Sequence, residues 1–275
     1  MKLLLLRRKI IAGVLCAAAA CAIFYVVNHP AVIGAGAAAR QLPIYSVERD
    51  HKVAALSFDA AWGNEDTQIL IDILDRYDIK VTFFVVGDWV NKYPESVKAL
   101  FDAGHEVMNH SNNHAHFNSL STEEIIADLT ASNKKIEAVT GVCPTLFRPP
   151  YGEYDDHVIA AVRSMGMEPI QWDVDSLDWK NLSADDITKR VTSKVGPGSI
   201  VLFHNAALNT PEALPAIIET LLQDGYSFVP ISKLILPSPY TIDHTGRQFP
   251  AAPHTPSPAP AAKLLPAISA AEART

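Results

Sequence analysis

Cysteine is nearly absent from this chain, with three in 275 residues. Cys16 and Cys21 lie in an apolar N-terminal run and only Cys143 falls beyond it, so no disulfide can form inside the globular part. Basic charge is also short: Lys and Arg total 23 against 30 Asp and Glu, a formal net charge of −7. A nucleic-acid binder would usually carry a basic patch, so that class is disfavoured. Net charge alone would not draw in an anionic polymer either. No internal repeat is visible. What is plentiful is apolar sequence, 48% of the chain, enough for one large domain with appendages.

Residues 2–9 carry Lys2, Arg7, Arg8 and Lys9, and an uncharged run of 18 residues follows from Ile10 to Val27. That length is about the minimum for spanning a bilayer. The basic flank predicts a cytoplasmic N-terminus (1–9) with everything after the anchor (10–27) outside the cell membrane, as a single-pass protein. A signal peptide cleaved near Ala37-Ala38-Ala39 and a lipoprotein modified at Cys21 are the competing readings; the uncleaved anchor is preferred. Residues 28–46, rich in Ala, Gly and Pro, read as a linker. The Pro/Ala-rich segment 237–275 is predicted to be disordered or extended, with little effect on stability if removed. The folded unit is therefore placed at 47–236.

Within it, strand and helix signals alternate. Val53–Phe58 reads as a strand and Asp66–Tyr77 as a helix with Ile69, Leu70, Ile73, Leu74 and Tyr77 on one face. Val81–Val86, Glu106–Asn109, Thr145–Phe147, Pro169–Trp172, Ser199–Phe203 and Ser227–Val229 read as further strands. Helices are expected at Pro94–Ala103, from the capping box at Ser121 to Thr140, at Asp156–Met165, Ser183–Val195 and Pro211–Gln223, several closed by glycine. This order implies a mainly parallel sheet, either a barrel or doubly wound. In both, the active site gathers at the C-terminal ends of the strands.

Five polar clusters fall just past such ends. Asp59 closes an apolar strand, where a carboxylate is costly unless paired or used. His110 and His114 sit four apart, a step that places both rings on one side of a helical turn and suits a divalent metal. Arg148 precedes a rigid Pro149-Pro150 turn. Asp173, Asp175 and Asp178 crowd into six residues. His204 ends a strongly apolar strand.

The five clusters, in this order, resemble the polysaccharide deacetylase family, the NodB-homology domain of carbohydrate esterase family 4. The family reads TFDDG, H-(S/T)-x-x-H, R-x-P-(Y/F)-G, D-x-x-D-W and L-x-H. This chain has Ser57-Phe58-Asp59, His110-Ser111-x-x-His114, Arg148-x-Pro150-Tyr151-Gly152, Asp175-x-x-Asp178-Trp179 and Leu202-x-His204. The variant Ser-Phe-Asp-x-x-Trp-Gly is similar to a sporulation-associated subgroup. The resemblance implies an α/β fold, a distorted (β/α) barrel of about seven units, and hydrolysis of N-acetyl groups on GlcNAc or MurNAc residues of peptidoglycan or a chitin-like glycan.

The resemblance also implies roles. His110 and His114 would hold a divalent metal, zinc first, with cobalt or manganese as alternatives. Asp59 would be the general base, kept ionised by Arg148. The backbone N–H of Tyr151 would help bind the oxyanion. His204 would protonate the leaving amine, with Asp175 fixing its tautomer and raising its pKa. Leu202 would line the acetyl pocket and Trp179 support its wall. The partners implied are an N-acetylated glycan polymer and the membrane, with the protein a monomer and no nucleic acid involved. One position departs from the pattern: the family's second Asp, a metal ligand, is Ala60 here. Asn64, Glu65 and Asp66 are the nearby candidates to fill the gap. A weakly active or inactive domain that binds glycan during cell-wall assembly is the rival reading.

The anchor is directly testable. The protein is expected in the membrane fraction after cell lysis, and recovery of soluble material beginning near Arg40 would overturn this.

Overall fold

A computed structural model describes residues 40–251 together with Ala18, Ala19, Cys21 and Tyr25. The basic segment 1–9, most of the expected anchor, most of the linker and residues 252–275 lie outside the described residues. Among the described residues, no helix is long and apolar enough to cross a membrane.

The chain begins with β1 (Ser46–Val47) and then the central strand β2 (Val53–Ala60), every residue of which is buried. Helix α1 (Thr67–Arg76) leads to β3 (Thr82–Val85). Two short helices, α2 (Gly87–Lys92) and α3 (Pro94–Asp102), precede β4 (Glu106–Asn109). Helix α4 (Thr122–Thr140) is followed by β5 (Leu146–Phe147), α5 (Asp156–Ser164) and β6 (Glu168–Pro169). Then come β7 (Val174–Asp175), α6 (Ala184–Thr192), β8 (Ile200–His204) and α7 (Thr210–Gln223). The last elements are β9 (Ser227–Phe228), α8 (Ile231–Leu234), β10 (Tyr240–Ile242) and β11 (Arg247–Pro250).

The main sheet runs β6-β5-β4-β3-β2-β8-β7, with β9 beside the start of β2. All its pairings are parallel. This is the parallel sheet that the alternation predicts, curled into the distorted (β/α) barrel that the resemblance implies. β2 is buried on both faces because both are covered. Phe58 stacks between Phe83 and Phe203, with centroids 4.9 and 5.3 Å away, and so joins the three central strands through their side chains. The long helix α4 starts where its sequence indicates: Ser121 and Glu124 form the reciprocal capping box, and Gly141 closes the other end at φ 74°.

Two boundaries differ from the sequence expectation. Residues 41–46, assigned to the linker, carry Ile44, which is fully buried and bridges to Ile170. The segment 237–250, expected to be disordered, forms β10 and β11, which build a second sheet with β1 in the order β1-β11-β10. The cause is a long-range pairing that composition does not reveal. β11 aligns in parallel with β1, about two hundred residues away in sequence. Gln248, fully buried, accepts from the Leu236 N–H at 2.7 Å and donates to the Leu236 carbonyl at 3.0 Å. Gln248→Ala is expected to cost about 1–3 kcal/mol by leaving those backbone groups unpaired. For a domain of this size that lowers Tm by roughly 3–10 °C in a thermal melt. A melt superimposable on the parent would mean that this strap adds nothing to the fold.

Candidate active site

The polar clusters converge at the C-terminal rim of the main sheet. Register sets the distances: Asp59 on β2 lies level with Phe84 on β3 and His204 on β8. Arg148, the residue after β5, is completely buried, and its guanidinium lies over the ring of Phe84, 4.2 Å from the centroid. Its Nη1 donates to Asp59 Oδ1 at 2.7 Å, and its Nη2 donates to Ser57 Oγ at 2.8 Å and to the Gln171 carbonyl at 3.2 Å. Burial alone would raise the Asp59 pKa; nearby positive charge, that of Arg148 foremost, outweighs it and holds the carboxyl below its usual range. Asp59 is therefore an ionised acceptor.

His110 follows β4. Its Nδ1 lies 2.7 Å from the Arg148 carbonyl, which can only accept, so Nδ1 carries the proton and Nε2 the lone pair. Nε2 stands 3.5 Å from Asp59 Oδ2. His114 is half-buried, its pKa pushed down to about 4 mainly by burial. The two imidazoles do meet, edge to face with centroids 5.0 Å apart. They do so on a loop and not on the helical turn that their spacing suggested. Ser111 and His114 both have left-handed φ (73° and 59°). Asn109 Oδ1 accepts from the Ser111 N–H, and Ser111 Oγ from the His114 N–H. Asn and Ser side chains here replace helical hydrogen bonds.

His204 ends β8. Its Nδ1 is 2.8 Å from Asp178 Oδ1, and its backbone N–H donates to Asp178 Oδ2. Burial would lower its pKa, but the hydrogen bond and charge of Asp178 dominate and raise it. The carboxylate behind His204 is thus Asp178 and not Asp175. Asp175 instead accepts from the Leu177 N–H and its carbonyl accepts from Arg190. The swap follows from Leu177, whose φ of 54° turns the chain and brings Asp178 inward, fully buried, where it also accepts from Thr210. Leu202 is buried in β8 opposite Ser57 and Asp175. Trp179 and Tyr151 stand on the rim, 54% and 58% exposed. The Tyr151 ring meets His114 edge-on at 4.4 Å and stacks on His116 at 4.3 Å.

The donor set falls short of a metal site. Ala60 is completely buried and offers no ligand atom. Asn64 donates to Ser96, Asp66 accepts from Ala206, and Glu65 folds back over Gly63. Among the described residues, no group of three His, Cys, Asp or Glu side chains is placed to hold a metal ion. Two neutral imidazoles remain, one ligand fewer than the three that catalytic zinc sites use.

A carboxylate held by Arg148 and, level with it on the next strand, a histidine backed by Asp178 form an arrangement of the class that general acid–base chemistry uses. Comparison with known proteins narrows the class. The polysaccharide deacetylase family model matches residues 46–170. The chain is 32% identical to a peptidoglycan-N-acetylglucosamine deacetylase of Bacillus cereus over 70% of its length and 92% of that protein's. It is 35% identical to the peptidoglycan-N-acetylmuramic acid deacetylase PdaC of Bacillus subtilis, over 69% of its own length and 40% of PdaC's. Among solved structures, a CE4 family pseudoenzyme from Bacillus anthracis superimposes with a TM-score of 0.68 at 38% identity, covering 70% of this chain and 68% of that one. A mutant of that pseudoenzyme with restored enzymatic activity gives the same TM-score at 39% identity, covering 70% of each chain. The chain belongs to the polysaccharide deacetylase family. It spans 60% of one curated relative and about 40% of two others, so it matches only part of those proteins.

The His204 partner gives a sharp test. Asp178→Asn is expected to lower the His204 pKa, and Asp175→Asn, which removes only a more weakly acting charge, to lower it less, by NMR titration of the imidazole. Because the folded pKa is raised, protonated His204 stabilises the fold below its unfolded value of about 6.5. That increment is lost as pH rises through the folded pKa, and Asp178→Asn should remove it. A His204 pKa that follows Asp175 would restore the original assignment.

Proposed function

We propose that the domain binds an N-acetylated cell-wall glycan, with GlcNAc or MurNAc residues, in this cleft and holds an incomplete deacetylation centre. The observation that carries this reading is Ala60, fully buried beside Asp59 where the motif calls for a second carboxylate. The acid and base that would serve hydrolysis can also hold an amide: Asp59 accepts from the acetamido N–H, and protonated His204 donates to its carbonyl. Membrane attachment through residues 10–27 and a monomeric, extracytoplasmic domain complete the proposal.

A second reading, slow metal-dependent N-deacetylation, is favoured by the two intact pairs, Arg148–Asp59 at 2.7 Å and His204–Asp178 at 2.8 Å. A pure binding module has no need of a base and an acid so placed.

Metal uptake and amine release separate the two. The parent, incubated with zinc, cobalt or manganese, is expected to bind GlcNAc oligomers, retain little metal and release no amine. Ala60→Asp buries an unpaired carboxylate, so its apo form should melt below the parent. Zinc should then stabilise the variant by about 2.7 kcal/mol at a hundredfold excess over Kd, with amine release appearing. Zinc-dependent amine release by the parent, falling about 10²–10⁴-fold in Asp59→Asn, would establish the second reading instead.

A further inference from the structure

Trp62 lies in the loop after β2 and is 55% exposed. Isolated exposed aromatics are common and need no explanation. Two observations set this one apart. First, its ring lies near two imidazoles of the site at once, 6.3 Å from the His114 ring and 5.9 Å from the His204 ring. Second, the backbone is clamped on both sides of it. Asn205, buried in the loop after β8, accepts from the Ala61 N–H at 3.1 Å and donates to the Gly63 carbonyl. That carbonyl also accepts from Trp89 Nε1 at 3.0 Å. Asp66 adds a third tie, accepting from the Ala206 N–H at 2.8 Å, which locks the β2 loop to the β8 loop. A large apolar side chain held in the open by buried polar groups is a preorganised contact surface, because its ordering entropy is lost on folding and not on binding.

We infer that Trp62 is the stacking platform for the pyranose ring that enters this cleft. The inference rests on the glycan-binding reading and adds a specificity-determining residue to it. A pyranose presents a flat face of C–H groups that suits the negative face of an indole. With the ring on Trp62, the substituents at its edge point towards His114 on one side and His204 on the other. The clamp explains why the contact is built from Trp: an indole covers the most area with only two side-chain torsions to fix.

Calorimetric titration of GlcNAc tetramer into the parent, Trp62→Ala, Trp62→Leu, Trp62→Phe and Ile69→Ala tests this, with a thermal melt of each. Ile69 is a second exposed apolar residue, on α1. Stacking predicts about tenfold weaker binding for Trp62→Ala and for Trp62→Leu, which keeps bulk but has no ring face. Trp62→Phe should recover most of the affinity and Ile69→Ala all of it. If Trp62→Ala does not fold, the Leu and Phe variants carry the comparison. A Leu variant that binds like the parent would reduce Trp62 to an apolar lid, and an Ala variant that binds like the parent would remove it from the site; either overturns the inference alone. A parent that binds no tetramer overturns the glycan reading and this inference with it.

Discussion

The Arg148–Asp59 ion pair is the constraint on which the rim of the sheet depends. Both partners are buried, and a buried charge whose partner is removed costs about 3–5 kcal/mol. Each must therefore hold its place for the other to be tolerated. Arg148 does more than pair. Its guanidinium also reaches Ser57 on β2 and the Gln171 carbonyl beyond β6. Its backbone N–H donates to Asn109 at the end of β4, and its carbonyl accepts from His110. One residue thereby fixes the relative heights of four strand ends, the tautomer of one imidazole and the charge of the candidate base.

His204 is fixed by an analogous arrangement on the other side. Asp178 collects the imidazole Nδ1, the His204 and Trp179 N–H groups and the Thr210 hydroxyl. Two buried carboxylates are thus satisfied at the rim, Asp59 backed by arginine and Asp178 backing the histidine that pairs in register with Asp59. Such networks cost stability if any member is lost. Their presence here, beside an alanine whose side chain offers no ligand, separates this charged framework of the fold from the metal that the family resemblance implies. The framework has structural reasons to persist because it holds strand ends together. A metal ligand at position 60 has none, since alanine packs there without leaving a buried charge.

Much of the fold was legible because its signals are local. The alternation of apolar runs with capped helices gave the parallel sheet, and the Ser121–Glu124 capping box and Gly141 gave the ends of α4. The site residues were legible for the same reason: a polar residue ending an apolar strand in a parallel α/β sheet lands at the C-terminal rim. What escaped was the short α2, the two-residue β7 and the β1-β11-β10 sheet. None has a periodic pattern long enough to read, and the last exists only through pairing across nearly the whole domain.

The sequence by itself determined which chemical groups the cleft contains, because strand-end position and residue type are properties of short stretches. The tertiary structure alone decided how those groups are matched. Asp175 and Asp178 both lie near β7, and a left-handed turn at Leu177 selects the second as the partner of His204. His110 and His114 meet through an Asn109–Ser111 turn and not through a helix. Trp62 lies near His114 and His204 because Asn205 and Asp66 tie its loop to one more than 130 residues away. Each of these choices depends on strand register and backbone sign at single residues, quantities set by the packing of distant segments and not written in any one of them.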